Sequence, residues 1–204
     1  MQARRALRKI VIGTLMMALI TMGAVTAGTG PASAAPLNTS IQLRNLAYNQ
    51  CMDLAGGASH NGAWIGRVPC ANEAKQKWIL EDRGMKTVCV APGPVATNTC
   101  ATQRIQEVRI KSAATGKCVD IYEGGTASGT HIWQWDCSEN QTQRWVAAEE
   151  PGGAITFVSS HVYNETNADH FRAIDANPDY QLRIWTTSSY VQGLNTQRWA
   201  VNSG

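Results

Sequence analysis

The sequence carries little charge for its length. Charged residues make up 16% of the 204 residues, and the formal net charge is only +3. Even this excess is local, because four of the 18 basic residues lie in the first nine positions and no acidic residue precedes position 35. The rest of the chain is nearly neutral, with 14 basic and 15 acidic residues. Electrostatic binding to nucleic acid or to an anionic membrane is therefore not expected.

The sequence also lacks the patterns that mark helices, metal sites and common catalytic centres. Outside the N-terminus, no window of about ten residues shows an amphipathic helical stripe. There is no Cys-x-x-Cys pair and no histidine at zinc-ligand spacing, so we expect no metal and no cofactor. Gly-x-Ser-x-Gly, His-Glu-x-x-His and a phosphate loop are absent. The nearest suggestive groups are Glu149-Glu150 and Ser159-Ser160-His161. Adjacent side chains on a strand point apart, so neither group forms a catalytic pair by itself, and both are expected to be solvated loops.

A signal peptide is predicted at the N-terminus. A basic segment at 4–9 precedes an apolar run at 10–25, and Ala32-Ser33-Ala34 fits a small-residue cleavage site. Interruptions such as Gly13 favour a cleaved signal over a membrane anchor. We expect removal of residues 1–34 and secretion of the mature protein into the extracellular space. The sequence leaves both the general and the twin-arginine export route open.

In an exported protein, the six cysteines predict disulfides. They form three successive pairs: Cys51 with Cys70, Cys89 with Cys100, and Cys118 with Cys137. The first and third pairs are each separated by 19 positions and the middle pair by 11. Six cysteines can pair in many ways, but the recurring separation favours bridges within each local unit. Each longer loop would be stabilised by about 3 kcal/mol.

An internal repeat organises the chain after the signal. A shift of 67 positions superposes Cys51 on Cys118 and Trp78 on Trp145 without a gap. Apolar residues, aspartate, glycine and glutamine recur in the same register: Ile41 with Val108, Leu43 with Ile110, Asp53 with Asp120, Gly57 with Gly124, Gly62 with Gly129, Ile65 with Ile132, and Gln76 with Gln143. Such a duplication indicates a supersecondary unit that buries its apolar face only by packing against its copies.

A third copy is present in a more divergent form. Gln197-Arg198-Trp199 repeats Gln143-Arg144-Trp145, and Ala173-Ile174-Asp175 repeats Cys118-Val119-Asp120. Ala173 and Thr187 replace the two cysteines, so this copy has no bridge. Since its apolar positions persist, the bridge braces the unit but does not define it.

Each copy is predicted to consist of short strands. Segments such as Ile41-Gln42-Leu43 and Ile132-Trp133-Gln134-Trp135 alternate with period two, and clusters of Gly, Asn, Ser and Thr separate them as turns. Three copies around an axis can direct the tryptophan of each Gln-x-Trp into one core. The fold class is therefore all-β, with repeats at about 41–80, 107–147 and 154–201 and an insert at about 84–106.

Three copies of Cys-x-Asp, an apolar-x-apolar-Trp strand and Gln-x-Trp resemble the ricin B-chain-like lectins. The resemblance covers about residues 41–201, and similar modules are appended to secreted bacterial xylanases. It implies a single β-trefoil domain over 41–204, with twelve strands, and a short segment at 35–40 before it. It also implies carbohydrate binding at up to three shallow sites. The family pattern does not require the insert, and we expect a small polar hairpin pinned by Cys89 and Cys100, with contact to a partner as the alternative.

The resemblance indicates which residues would hold a sugar. In the family, the Asp of Cys-x-Asp binds hydroxyls, an aromatic residue ending the later strand stacks, and polar side chains at and before the Gln of Gln-x-Trp complete the site. These positions hold Asp120, Trp135, Thr142 and Gln143 in the second repeat, and Asp175, Trp185, Thr196 and Gln197 in the third. Alternation favours Trp135 on the non-core face. Each glutamine has an alternative role, which is to satisfy buried backbone groups.

The third and first repeats depart from this pattern. In the third repeat, an alignment without gaps would nominate Tyr190 as the stacking residue, whereas strand alternation favours Trp185. The first repeat keeps the aspartate and the glutamine, as Asp53 and Gln76. Val68 replaces its stacking aromatic residue, and Lys75 replaces its Asn-like residue. We therefore expect the first site to be weak or lost and its repeat to be structural.

The sequence favours a secreted, monomeric lectin without catalysis. Its expected partner is a galactose-type, xylan-type or related glycan or polysaccharide, with no nucleic acid and, after signal cleavage, no membrane. Two alternatives stay open, since β-trefoils host many functions. One is a protein-binding module, such as a protease inhibitor or the binding subunit of a toxin. The other is a glycan-active hydrolase.

Overall fold

The computed structural model describes residues 35–92, 100–162, 171–176, 179–187 and 194–203. The predicted signal peptide at 1–34 and the alternative stacking residue Tyr190 lie outside these residues. Within the described ranges, no helix has the length and apolarity needed to cross a membrane.

Twelve strands form three successive groups of four. The first group is β1 (Ser40–Asn45), β2 (Gln50–Leu54), β3 (Ile65–Pro69) and β4 (Trp78–Pro92). The second is β5 (Cys100–Ser112), β6 (Cys118–Ile121), β7 (Ile132–Trp135) and β8 (Trp145–Glu149). The third is β9 (Ala154–Ser159), β10 (Arg172–Asp175), β11 (Arg183–Thr186) and β12 (Trp199–Ser203). Short 3-10 turns and no α-helix accompany them in the described residues, so the all-β prediction is confirmed.

Six of these strands close a barrel. Strand β1 pairs with β4 and β12, β5 pairs with β4 and β8, and β9 pairs with β8 and β12, all antiparallel. Each repeat adds one hairpin, β2–β3, β6–β7 or β10–β11. The hairpins meet through single bridges, Trp64 with Trp133, Gly66 with Gln181 and His131 with Arg183. This is the predicted β-trefoil of three repeats.

The tryptophans of the three Gln-x-Trp motifs lie in the central core, each 0% exposed. In each repeat, the indole N–H of this tryptophan donates to the backbone carbonyl of the residue just before the site aspartate. The bonds are Trp78 to Met52 at 3.0 Å, Trp145 to Val119 at 3.3 Å, and Trp199 to Ile174 at 3.3 Å. A buried indole that keeps its hydrogen bond loses little by leaving water. The same side chain therefore builds the core and holds the strand that presents the aspartate.

Two predicted disulfides are present in the structure: Cys51–Cys70 and Cys118–Cys137. The side chains of Cys89 and Cys100 lie outside the described ones, so the third bridge stays a prediction. Ala173 and Thr187, which stand at the cysteine positions of the third repeat, are 0% and 2% exposed. Close packing replaces the bridge in that repeat.

The insert is a long hairpin with its own apolar contacts. Strands β4 and β5 stay paired well beyond the barrel, with Val88 opposite Gln103 and Ile105 opposite Lys86. Val88 and Ile105 are buried in a second apolar cluster on the outside of the barrel, together with Val146, Ala148, Val158, Phe171 and Ala173. The expected hairpin is confirmed, but the expectation that it is small and polar was wrong, because apolar side chains pack it against the second and third repeats.

Ile105→Ala is expected to lower the free energy of unfolding by about 2 kcal/mol, because it removes buried atoms and leaves a cavity in this second cluster. Met85→Ala is a matched control on the same hairpin. Its side chain is 48% exposed, and we expect a change below about 0.5 kcal/mol. Urea denaturation measures both, and equally small changes would contradict the packing role of the hairpin.

Candidate functional site

The site predicted in the second repeat lies on the β6–β7 hairpin. Asp120 pairs with Trp133, and Cys118 pairs with Trp135. Residues directly opposite in an antiparallel pair share one face of the sheet, so Asp120 and both tryptophans face the same side. Trp135 is the diagonal neighbour of Asp120 and is 39% exposed, whereas Gln134 between the two tryptophans is fully buried. The hairpin therefore presents a carboxylate and an accessible ring side by side.

Gln134 fixes this hairpin against the first repeat. Its side-chain amide donates to the carbonyls of Ala58 and His60, at 2.8 and 2.9 Å. Its side-chain oxygen accepts a hydrogen bond from the hydroxyl of Thr115 at 2.8 Å. A fully hydrogen-bonded buried amide is tolerated in the interior and rigidifies its surroundings.

Asp120 keeps one carboxylate oxygen for a ligand. The residue is 8% exposed, and Gln143 Nε2 donates to its Oδ2 at 2.8 Å. Among the described residues, none donates to Oδ1. A carboxylate accepts hydroxyl hydrogen bonds that are stronger than those between neutral groups, and an exposed indole covers the C–H face of a sugar ring. Thr142, partly exposed, directly precedes Gln143 in the chain.

The glutamines of the Gln-x-Trp motifs are buried next to the site aspartates and donate to the backbone around them. Gln143 and Gln197 are both 0% exposed, which corrects their assignment to the binding surface. Besides Asp120, Gln143 Nε2 reaches the carbonyl of Asp136 at 2.9 Å. Gln197 Nε2 donates to the equivalent carbonyl of Thr186 at 3.0 Å. The structure thus shows the second role considered for these residues, the satisfaction of buried backbone groups.

The β10–β11 hairpin repeats the arrangement in the third repeat. Trp185 lies opposite Ala173, as Trp135 lies opposite Cys118, and it is 38% exposed. This matching register supports Trp185 over Tyr190 as the ring of the third site. Asp175 therefore stands beside an accessible indole, as the aspartate of the second repeat does.

The third aspartate is buried and protonates more easily than usual. Asp175 is 5% exposed, and burial raises its pKa, while hydrogen bonds from Gln197 and Thr196 act in the opposite direction. The Thr196 hydroxyl lies 3.1 Å from Oδ2. Since the folded pKa exceeds the unfolded value, the contribution of Asp175 to stability is complete below the unfolded pKa and is lost as the pH rises through the folded pKa.

Asp175→Asn is therefore expected to gain stability relative to the unchanged protein as the pH rises from about 4 to 7. Asp136→Asn is the matched control, because a hydrogen bond from Lys117 lowers the pKa of Asp136. This carboxyl is ionised in both the folded and the unfolded state above about pH 5, so the stability difference of Asp136→Asn should stay constant there and change only at lower pH. Melting temperatures across this range test both variants. A pH-independent difference between Asp175→Asn and the unchanged protein would contradict the effect of burial.

In the first repeat, Lys75 stands at the position that Thr142 and Thr196 hold in the other two repeats. Its ammonium lies 3.9 Å from the carboxylate of Asp53 and 3.1 Å from that of Glu73. Val68, opposite Cys51, takes the position of the stacking ring. The ammonium of Lys75 faces this carboxylate, and the aliphatic Val68 replaces the ring.

Each accessible ring lies against a glycine of the preceding repeat, a contact that the sequence analysis missed. A Cβ atom at Gly62 would come within 3.5 Å of Trp133 and 3.7 Å of Trp135, and one at Gly129 within 3.4 Å of Trp185. Both glycines have positive φ, +83° and +92°. Their recurrence in the repeat was the available signal. The positive φ favours glycine at both positions, and the rings lie beside them at van der Waals distance.

The groups considered for hydrolysis do not form a catalytic pair. The Ser160 hydroxyl donates to a glutamate at 2.6 Å, while His161 Nε2 donates to the carbonyl of Gly124 at 3.0 Å. Glu150 is 4% exposed and pairs with Arg198 at 2.6 Å, while Ser159 and Ser160 are 0% and 4% exposed. The expectation of solvated loops was therefore wrong for these three residues. The described part of the chain contains no cluster of three or more His, Cys, Asp or Glu able to hold a metal.

Comparison with known proteins supports the same fold. The family model for the ricin-type β-trefoil lectin domain-like family matches residues 98–170. The Macrolepiota procera ricin B-like lectin in complex with lactose aligns with 84% of this chain and 100% of its own, at a TM-score of 0.54 and 14% identity. The designed three-fold symmetric protein ThreeFoil aligns with 80% of this chain and 98% of its own, at a TM-score of 0.58 and 15% identity.

A catalytic protein is among the similar structures. The exo-β-1,3-galactanase 1,3Gal43A from Clostridium thermocellum aligns at a TM-score of 0.58 and 18% identity. The alignment covers 81% of this chain but only 30% of the galactanase. At these identities the structural likeness shows the fold alone. Together with the family match, it confirms the predicted β-trefoil and the resemblance to ricin B-like lectins.

Proposed function

We propose that the protein is a secreted, non-catalytic lectin that binds neutral glycans through the hairpins of its second and third repeats. One observation carries the proposal. On two equivalent hairpins a buried aspartate stands beside an accessible indole, at Asp120 with Trp135 and at Asp175 with Trp185. The first repeat, which has neither a ring nor a free carboxylate, shows that the trefoil forms without this pairing.

The chemistry of the pair suits a sugar. A saccharide offers hydroxyls around its ring and C–H groups on its faces, so it needs a strong acceptor next to a flat apolar surface. Each site is shallow and presents few groups, and we expect weak binding at each one. Two sites on one rigid body would strengthen attachment to a polymeric glycan through multivalency.

Galactose-type and xylan-type glycans are the first ligands to test. A similar lectin was solved with lactose, and a similar structure is a β-1,3-galactanase. Resins carrying galactose or insoluble xylan should retain the protein, and free sugar should release it. The double variant Trp135→Ala/Trp185→Ala should pass through. If the folded double variant is still retained on the resins, the proposal is contradicted.

The same assays decide between the lectin and its alternatives. Turnover of the glycan by pure protein would establish the hydrolase. Inhibition of a protease that free sugar does not relieve would favour a protein-binding module.

Export with cleavage after Ala34 is part of the proposal. Ala35 is 9% exposed, and its backbone nitrogen donates to the carboxylate of Glu149. Hydrolysis of the preceding peptide bond would leave an ammonium group beside this carboxylate as an ion pair. The intact mass of protein recovered from the culture medium should correspond to a chain that begins at Ala35. A secreted protein that still carries residues 1–34 would contradict the cleavage.

The first repeat should bind sugar when Val68 and Lys75 are replaced by the residue types of the second repeat. In Val68→Trp/Lys75→Thr, a ring stands where Trp135 stands in the second repeat, and Asp53 loses its cation. We expect one additional sugar per protein molecule, measured by calorimetric stoichiometry. Val68→Trp alone keeps the lysine and should add none. An unchanged stoichiometry in the folded double variant would contradict the pairing of acid and ring as the basis of the site.

A further inference from the structure

A row of aromatic side chains leads away from Trp135 across the junction of the first two repeats. It consists of Trp133, Tyr122, Trp64 and His131, here called the junction row. Trp133 lies next to Trp135, with ring centroids 4.8 Å apart. From there, Tyr122 is 4.6 Å from Trp133, Trp64 is 5.5 Å from Tyr122, and His131 is 4.9 Å from Trp64. The row is therefore continuous with the site of the second repeat.

The trefoil does not need these rings. The position of Trp133, opposite the site aspartate, is Gly66 in the first repeat and Arg183 in the third. The position of Tyr122, which begins a 3-10 turn, is Ala55 in the first repeat. Equivalent positions of the other described hairpins hold glycine, arginine or alanine, so the fold forms without the rings of Trp133 and Tyr122.

The junction row is partly exposed and carries no fixed charge. All four members are neither buried nor fully exposed. Burial and the nearby Arg183 lower the pKa of His131, which keeps the imidazole neutral at neutral pH. The charged groups next to the row are Asp120 and Arg183, each opposite a member, and Glu123, beside Tyr122. A contiguous, partly exposed aromatic surface next to a binding residue is typical of an interaction site.

We propose that the junction row extends the second-repeat site and binds further residues of the same neutral glycan chain. The proposal rests on the proposed function, because it takes the sugar at Asp120 and Trp135 as its starting point. A neutral polysaccharide matches the row, since successive sugar rings offer apolar C–H faces and no charge. The described part of the third repeat has Arg183 in place of Trp133 and no comparable row of rings. The two sites therefore differ, the second binding internal stretches of a chain and the third a single sugar.

Chain-length dependence of binding tests this extension. Dissociation constants are measured by calorimetry for two series, xylose to xylotetraose and galactose to β-1,3-galactotetraose, in a Trp185→Ala background that isolates the second site. In at least one series, the tetrasaccharide should bind about tenfold more tightly than the monosaccharide. Tyr122→Ala and Trp64→His should remove this gain and leave monosaccharide binding unchanged. Both variants introduce residues found at the equivalent positions of a neighbouring repeat, Ala55 and His131, which favours their folding.

The outcomes separate the extension from the site itself. Equal affinity for monosaccharide and tetrasaccharide overturns the extension and leaves the lectin proposal standing. The extension is also overturned if both Tyr122→Ala and Trp64→His still bind the tetrasaccharide more tightly than the monosaccharide by the full factor. Near-ultraviolet circular dichroism checks that both variants keep their packing. Trp135→Ala should abolish binding of every member of the series. If the Trp185→Ala protein binds no member of either series, the proposed second-repeat site fails, and the extension fails with it.

Discussion

Asp120→Ala is expected to weaken sugar binding at the second-repeat site by about 100-fold. The substitution removes an anionic acceptor whose hydrogen bonds to hydroxyls each contribute about 1.5 kcal/mol, and two such bonds give about 3 kcal/mol. Calorimetry on the Trp185→Ala background, in which only this site remains, measures the loss directly. Because Gln143 Nε2 then loses one of its two acceptors and keeps the carbonyl of Asp136, some of the effect reflects its rearrangement.

Asp120→Asn separates the charge from the shape. The asparagine keeps an oxygen near Gln143 Nε2 but loses the negative charge, so we expect a smaller loss of about tenfold. Asp82→Asn, which replaces an exposed aspartate outside the site, should leave binding unchanged. Affinity that persists in a folded Asp120→Ala variant would remove the aspartate from the site.

Trp145→Ala is expected to lower the free energy of unfolding by about 4 kcal/mol. The indole is fully buried, and its loss leaves a large cavity and an unpaired carbonyl at Val119. Trp135→Ala offers the matched contrast, because this indole is 39% exposed and should change stability by less than about 1 kcal/mol. Urea denaturation gives both values. A comparable loss in Trp135→Ala would show that its ring braces the fold.

The two substitutions should have opposite profiles in binding and stability. Trp135→Ala should lose binding and keep its fold. Trp145→Ala should lose stability. At low temperature, where this variant remains folded, its sugar binding should weaken less than in Trp135→Ala, because only a displacement of Val119 and the neighbouring Asp120 affects the site. This coupling follows from the hydrogen bond between the core indole and the residue before the aspartate.

The repeat made the fold predictable from the sequence. Because Cys51, Asp53 and Trp78 recur 67 positions later in the same register, a single period fixed three similar units and a shared core. Alternation placed Trp133 and Trp135 on one face, and the β7 strand shows that pattern. These features depend on local periodicity, which a sequence displays directly.

Contacts between distant segments were not predictable in the same way. The insert reads as polar in isolation, and only its packing against β8 and β9 explains why Val88 and Ile105 are buried. Glu150 is buried because Arg198, 48 positions later, lies beside it. No local pattern encodes either contact, since each depends on how one repeat meets another.

The role of the glutamines illustrates a second limit. Spacing placed Gln143 beside the site, but it could not distinguish a side chain that touches the sugar from one that holds the aspartate. Full burial and hydrogen bonds to Asp120 and Asp136 resolve this question. Direction and burial are properties of the packed structure.

The indole N–H signals of the tryptophans test the central claim most directly, because the chain has seven tryptophans and each can be assigned by substitution. In a ¹H–¹⁵N titration with a binding oligosaccharide, the signals of Trp135 and Trp185 should shift, whereas those of the buried Trp78, Trp145 and Trp199 should stay in place. Saturable shifts at Trp135 and Trp185, with added shifts at Trp133 and Trp64 where the oligosaccharide extends along the junction row, would agree with sugar held beside Asp120 and Asp175. Binding of the oligosaccharide with no change at either accessible indole would contradict the account.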